Sequence, residues 1–117
     1  MQICYSLYYN MRTIYKYKIG NITEIVSGVN NETKICVPVD SKILCCKLQH
    51  GPDVCVWVEL DAADFDNAKV PIQQITIKLF GTGWNMDELK GKKYEYLDTI
   101  YVGSEGVFVY HAYAIYE

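Results

Sequence analysis

Residues 42–60 read Lys42-Ile43-Leu44-Cys45-Cys46-Lys47-Leu48-Gln49-His50-Gly51-Pro52-Asp53-Val54-Cys55-Val56-Trp57-Val58-Glu59-Leu60. The second half alternates strictly: Val54, Val56, Val58 and Leu60 share one side of an extended chain, because successive side chains of a strand point to opposite faces. Leu44, Cys46 and Leu48 alternate in the same way on the first half. Between them, Gln49 to Asp53 holds Gly51, Pro52 and Asp53, which favour a reversal of the chain. Two apolar stripes joined by a turn predict an antiparallel hairpin over 42–49 and 54–60, with both arms facing one core.

The same period recurs outward from this hairpin. Ile75, Ile77 and Leu79 alternate with Thr76 and Lys78 in a strand that runs into Phe80-Gly81-Thr82-Gly83-Trp84. At the other side, Tyr15, Tyr17 and Ile19 alternate with Lys16 and Lys18 in a first strand over 12–19. A short strand over 34–37 stops at Pro38, which has no N–H to give a ladder. Two more strands, over 94–102 and 107–116, flank the turn formers Gly103-Ser104-Glu105-Gly106. Asn21 and the stretch Ser27–Glu32 read as turn and loop. Asp61–Lys69 reads as a polar loop with room for one helical turn.

One helix is expected, of one or two turns within Asn85–Lys93. Asp87 and Glu88 stand near its start and Lys90, Lys92 and Lys93 near its end, the order the helix dipole favours, while Gly91 limits its length. Six or seven strands with short links, and no helix of 10–15 residues between them, exclude a doubly wound sheet. The fold class expected is mainly β: a small antiparallel sandwich or barrel-like domain with at most one short helix.

At 117 residues the chain suffices for one core, and half of it (50%) is apolar, enough to offset the entropy of ordering. A single domain over 1–117 is expected, with 11–117 as its core. Residues 1–10 read as an extension, either an extra edge strand or the product of an upstream start codon. No run reaches the 18 or so apolar residues of a membrane span, and no segment has the form of a secretory signal.

Eleven Lys and Arg against fourteen Asp and Glu give a net charge of -3. Arg12 is the one arginine in the sequence. Duplex nucleic acid is therefore excluded as a partner, because phosphate recognition relies on clustered cations and arginine forks. A small anion in a locally basic pocket is still compatible with that charge. The cysteines, Cys4, Cys36, Cys45, Cys46 and Cys55, are odd in number, form no CxxC pair and include a vicinal pair. They read as free thiols of a cytoplasmic protein, not as disulfides or zinc ligands.

Four features carry candidate chemistry. Gly81, Thr82, Gly83 and Trp84 end a strand; exposed backbone N–H groups there suit a phosphate or carboxylate, Thr82 offers a hydroxyl and Trp84 a stacking ring. The competing reading is a tight turn with the indole folded back on the core. His111, within the last strand, reads either as a ligand-facing donor or as a structural hydrogen-bonded histidine, while His50 reads as a solvated turn residue. Arg12, Lys16 and Lys18 are the candidates to offset ligand charge. Eleven tyrosines, clustered towards the two ends of the chain, point to an oligomer or partner interface. Glu59, Asp61, Asp64 and Asp66 lack the spacing of a calcium loop, so no metal or cofactor is expected. No local signature of catalysis is present, and binding without turnover is the expectation.

Met11-Arg12-Thr13-Ile14-Tyr15-Lys16-Tyr17, Phe80-Gly81-Thr82-Gly83 and Gly106-Val107-Phe108-Val109-Tyr110-His111 resemble a family of small proteins of bacteriophages and their bacterial hosts. The likeness runs over most of 11–117. It implies a phage accessory protein acting in the host cytoplasm without an assigned enzymatic activity. By analogy of genome type and size, that role is antagonism of host immunity, with a homo-oligomer sequestering a small nucleotide-like signal. Inhibition of a host defence protein by direct binding, and a structural or assembly role in the phage, are the competing classes.

Overall fold

The computed structural model describes residues 11–28, 31–49, 51–103 and 108–116. Among the described residues seven strands form in chain order: β1 Arg12–Asn21, β2 Glu32–Pro38, β3 Lys42–Leu48, β4 Asp53–Asp61, β5 Ile72–Gly81, β6 Lys93–Val102 and β7 Phe108–Tyr116. They make two antiparallel sheets, ordered β1-β4-β3 and β2-β5-β7-β6. The chain crosses between the sheets after β1, after β2 and after β4, so both sheets are built from sequence-distant pieces. The expectation of a mainly β antiparallel sandwich holds, and the sheets do not close into a barrel.

The core lies between the facing sides. Val54, Val56, Val58 and Leu60 of β4 are fully buried, and they meet Ile75, Ile77 and Leu79 of β5 and Ala112 and Ala114 of β7. Both pairs of sheet margins are tied by polar contacts: the Thr33 hydroxyl donates to the Ile19 carbonyl beside β1, and Lys47 of β3 pairs with Asp98 of β6 at 3.1 Å.

Two bulges change which residues face inward. In β3 the register slips between Ile43, opposite Val58, and Cys45, opposite Trp57. The extra residue reverses the parity of the strand, as a bulge must. Ile43 is consequently buried and Leu44 is 40% exposed, which corrects the expected Leu44-Cys46-Leu48 stripe: Cys46 is buried, Leu48 is half-buried and Leu44 faces out. In β6 the slip lies between Tyr96 and Asp98. Tyr94 and Tyr96 before it are exposed, and Ile100 after it is buried.

The one α-helix among the described residues, α1, is Ile22–Val26, not a segment of Asn85–Lys93. Asn21 caps it, its Oδ1 accepting from the Thr23 N–H at 2.9 Å, the usual way a short polar side chain satisfies a helix start. Ile22 and Ile25 bury one face of it. Asn85–Lys93 instead holds a short 3-10 helix, Asp87–Leu89, and the chain turns at Gly91 with φ 78°, a conformation that favours glycine. The acidic segment after β4 also makes a 3-10 helix, Ala62–Phe65, with Asp61 as its cap. The expected extension 1–10 with its tyrosines, Cys4, the turn residue His50 and the 104–107 part of the last connection lie outside the described residues.

Outside the core, the far side of the β2-β5-β7-β6 sheet carries a second apolar cluster of Phe80, Leu89 and Ile115, with Met86 and Tyr113 packed on it. The segment between β5 and β6 therefore lies against this face. Lys78 fastens it: its ammonium reaches Glu88 at 2.7 Å and Glu32 at 3.3 Å and stands 5.3 Å from the centre of the Phe80 ring.

Candidate functional site

Gly81 is the last residue of β5, and Gly81–Trp84 form a tight turn closed by Trp84 N–H donating to the Gly81 carbonyl at 3.0 Å. Gly83, in the third position, has φ 88°, as a type II turn requires. The turn sends its two side chains in different directions. Thr82 reaches the outer face of the sheet, where its Oγ1 lies 2.9 Å from His111 Nε2. Trp84 folds to the open end of the sandwich.

There the indole lies on Gly81: a Cβ at that position would stand 2.6 Å from both Nε1 and Cε2 of Trp84. Gly81 thus supplies the bare backbone on which a large ring can rest. The indole also meets the Tyr110 ring edge-on, with centroids 6.0 Å apart. The tight turn and the indole folded back on the protein are thus present as the competing reading has them, yet the ring remains 46% exposed. Gly81, Thr82, Trp84, Phe108, Val109 and Tyr110 line an open cleft of about 280 Å³. That is near the lower end of small-molecule sites, roughly 300–1,000 Å³, and suits a single ring system. No lining side chain is charged.

His111 holds the turn. Its Nε2 meets Thr82 and its Nδ1 lies 3.2 Å from Thr99 Oγ1, which in turn hydrogen-bonds the Tyr96 hydroxyl. Hydroxyls both donate and accept, so either imidazole tautomer fits this chain of partners. The ring is engaged on both nitrogens, and its place is that of a positioning residue for Thr82.

The sequence-derived cations stand elsewhere. Arg12, Lys16 and Lys18 are on β1, opposite Asp61, Trp57 and Cys55 of β4, in the other sheet. Arg12 donates from Nε to Glu59 at 2.9 Å and from Nη2 to the Asp40 carbonyl at 3.2 Å. Lys18 pairs with Asp53 at 3.3 Å, and Lys16 donates to the Gln49 side-chain carbonyl at 3.0 Å. Within one chain the structure brings together Gly81, Thr82, Gly83, Trp84 and His111, and leaves the three cations apart from them.

Sequence reasoning missed Phe108 and Tyr110 as walls of the cleft. The signal available was the pairing of the last strand with β5, which sets Tyr110 opposite Gly81.

The thiols offer no exposed nucleophile near the cleft among the described residues. Cys46 is fully buried, and burial, with a smaller contribution from the negative charge of Asp98, pushes its pKa up to about 12. Burial likewise raises Cys55, whose Sγ lies 3.3 Å from Gln49 Oε1. Since the thiolate is the reactive form, iodoacetamide at neutral pH should alkylate exposed Cys36 and half-buried Cys45 in the folded protein and spare Cys46 and Cys55 until it is denatured. Peptide mass mapping checks this; early modification of Cys46 would contradict the packing of β3.

These features define a small two-sheet antiparallel β domain with an uncharged aromatic cleft at one end. The chain belongs to the family described as Domain of unknown function (DUF7352), which matches residues 11–117. Neither the curated proteins nor the solved structures contain a match to it.

Proposed function

We propose that this domain binds and sequesters a small nucleotide-like molecule, holding its base in the cleft at the sandwich end, and does so without turning it over. The observation that supports the reading is Trp84: a large ring, half exposed, held flat on Gly81 and braced by Tyr110. Ring stacking of this kind tolerates any base and contributes about 1–3 kcal/mol per base. The Thr82 and Trp84 N–H groups are engaged by the Val109 and Gly81 carbonyls, so the polar backbone contact beside the ring would fall to the Gly83 N–H. Arg12, Lys16 and Lys18 lie on the other sheet and do not reach the cleft within one chain; that a homo-oligomer carries them to it from a second copy is part of the proposal. The resemblance to phage proteins extends the reading to a host immune signal as the ligand.

A second reading, inhibition of a host protein by direct contact, is favoured by Tyr94, Tyr96, Tyr101 and Phe108, four exposed aromatic side chains on β6 and the start of β7. A panel of cyclic dinucleotides, ADP-ribose derivatives and mononucleotides separates the two in a melting experiment. A ligand at 100 times its Kd raises stability by about 2.7 kcal/mol. Trp84→Ala should abolish the rise while lowering intrinsic stability by only about 1–2 kcal/mol, less than the 3–5 of a fully buried aromatic. Gly81→Ala, which keeps the tryptophan but lifts it from its seat, should weaken binding as well. Absence of any rise across the panel would set the sequestering reading aside, and a cleaved product would replace it with an enzymatic one.

A further inference from the structure

A second pocket, of about 450 Å³, lies on the outer face of the four-stranded sheet and includes Asp87, Leu89, Lys90, Lys92, Tyr94 and Tyr113 in its lining. It shares none of its lining residues with the cleft at the sandwich end. Its floor is firm. Leu89 is buried, and Tyr113 is met edge-on by Phe80, Tyr94 and Tyr96 with centroids 5.9, 5.9 and 5.7 Å away. Tyr94 forms a wall and keeps half of its surface, 50%, in solvent.

The rim carries two ammonium groups against one carboxylate, Asp87. The turn at Gly91 brings Lys90 and Lys92 to the same opening. Lys90 has a 3.4 Å pair with Asp87, between side chains 80% and 69% exposed, a contact that holds its charge only weakly. Lys92 has no carboxylate partner among the described residues. Of the neighbouring carboxylates, Asp87 stands at the same rim and meets Lys90, while Glu88 is engaged by Lys78 at 2.7 Å and Glu95 by the Tyr116 hydroxyl at 3.0 Å. A pocket with an aromatic floor and the unpaired Lys92 ammonium at its edge favours a ligand with a flat ring at one end and a negative group at the other.

We propose that this pocket is a second binding site, for a small planar aromatic anion, its ring against Tyr94 and Tyr113 and its anionic group on Lys92. The site is independent of the Trp84 cleft, and either can fail without the other.

Amide-resolved NMR titration of the full chain with AMP, phenyl phosphate and indole-3-carboxylate, each at millimolar concentration, tests it. At least one should give saturable shifts at Leu89–Tyr94 and Tyr113, with adenosine and inorganic phosphate each binding at least roughly fivefold more weakly. Lys92→Ala and Tyr94→Ala should each weaken binding roughly tenfold, while Lys92→Arg and Tyr94→Phe retain it within about threefold. Both positions are exposed, and unchanged dispersion elsewhere in the spectrum confirms the fold. The proposal is overturned if none of the three anions moves these signals, if adenosine binds as well as AMP, or if shifts appear at Gly81–Trp84 alone.

Discussion

Replacing Ile43 by alanine should destabilise the protein by about 2–4 kcal/mol, while the same replacement at Leu44 should cost under about 1 kcal/mol. Strict alternation along β3 leads to the opposite order, since it puts Leu44 with Cys46 and Leu48. The bulge between Ile43 and Cys45 reverses the parity, leaving Ile43 at 7% exposure in the core and Leu44 outside it. Truncating a buried isoleucine loses its transfer free energy and leaves a cavity, whereas an exposed leucine loses little of either. Urea unfolding of the two variants measures the difference directly. Equal costs, or a larger one at Leu44, would mean that β3 is paired one residue out of register.

Lys78→Met should cost about 2 kcal/mol, and its effect should depend on pH in a defined way. The ammonium is 13% exposed between Glu32 and Glu88, and methionine keeps the stem against Phe80 while removing the charge. Burial works against that charge, but the hydrogen bonds and attraction of Glu88 and then Glu32 outweigh it and hold the lysine pKa above its ordinary value. A raised folded-state pKa means stabilisation fully present below the unfolded value, about 10.4, and lost as the pH climbs through the folded one. The stability difference between wild type and variant should therefore be constant from neutral pH to about 10 and shrink above it. A difference already falling between pH 7 and 9 would show that Lys78 is not held in this way.

The sequence made some of this plain and hid the rest for physical reasons. β4 and β5 are central strands in which Val54, Val56, Val58 and Leu60, and Ile75, Ile77 and Leu79, face the core, so hydrophobicity writes their alternation openly, whereas β7 is apolar on both faces. The bulges are invisible to it, because Ile43 and Leu44 are both apolar and either parity fills the stripe. Helix α1 carries Ile22, Thr23, Ile25 and Val26, residues that also favour strands, and only the Asn21 cap and the Ile22/Ile25 spacing marked it. The Gly81–Trp84 turn was legible because two glycines around a threonine have few other uses. Its aromatic walls were not, since Phe108 and Tyr110 reach Gly81 only through a strand pairing across the chain. Lys90 and Lys92 resembled the basic end of a helix; what folds instead is a 3-10 helix and a glycine turn, which leaves them at the rim of a pocket.

The stacking role of Trp84 is the centre of the functional reading, and its indole N–H can be followed individually by NMR once Trp57 is assigned. During titration with the nucleotide panel, that signal and the amides of Gly81, Thr82 and Gly83 should shift together and saturate with the ligand that raises the melting temperature. A ligand that raises the melting temperature while these four signals stay still would place binding elsewhere and contradict the role given to the Trp84 cleft.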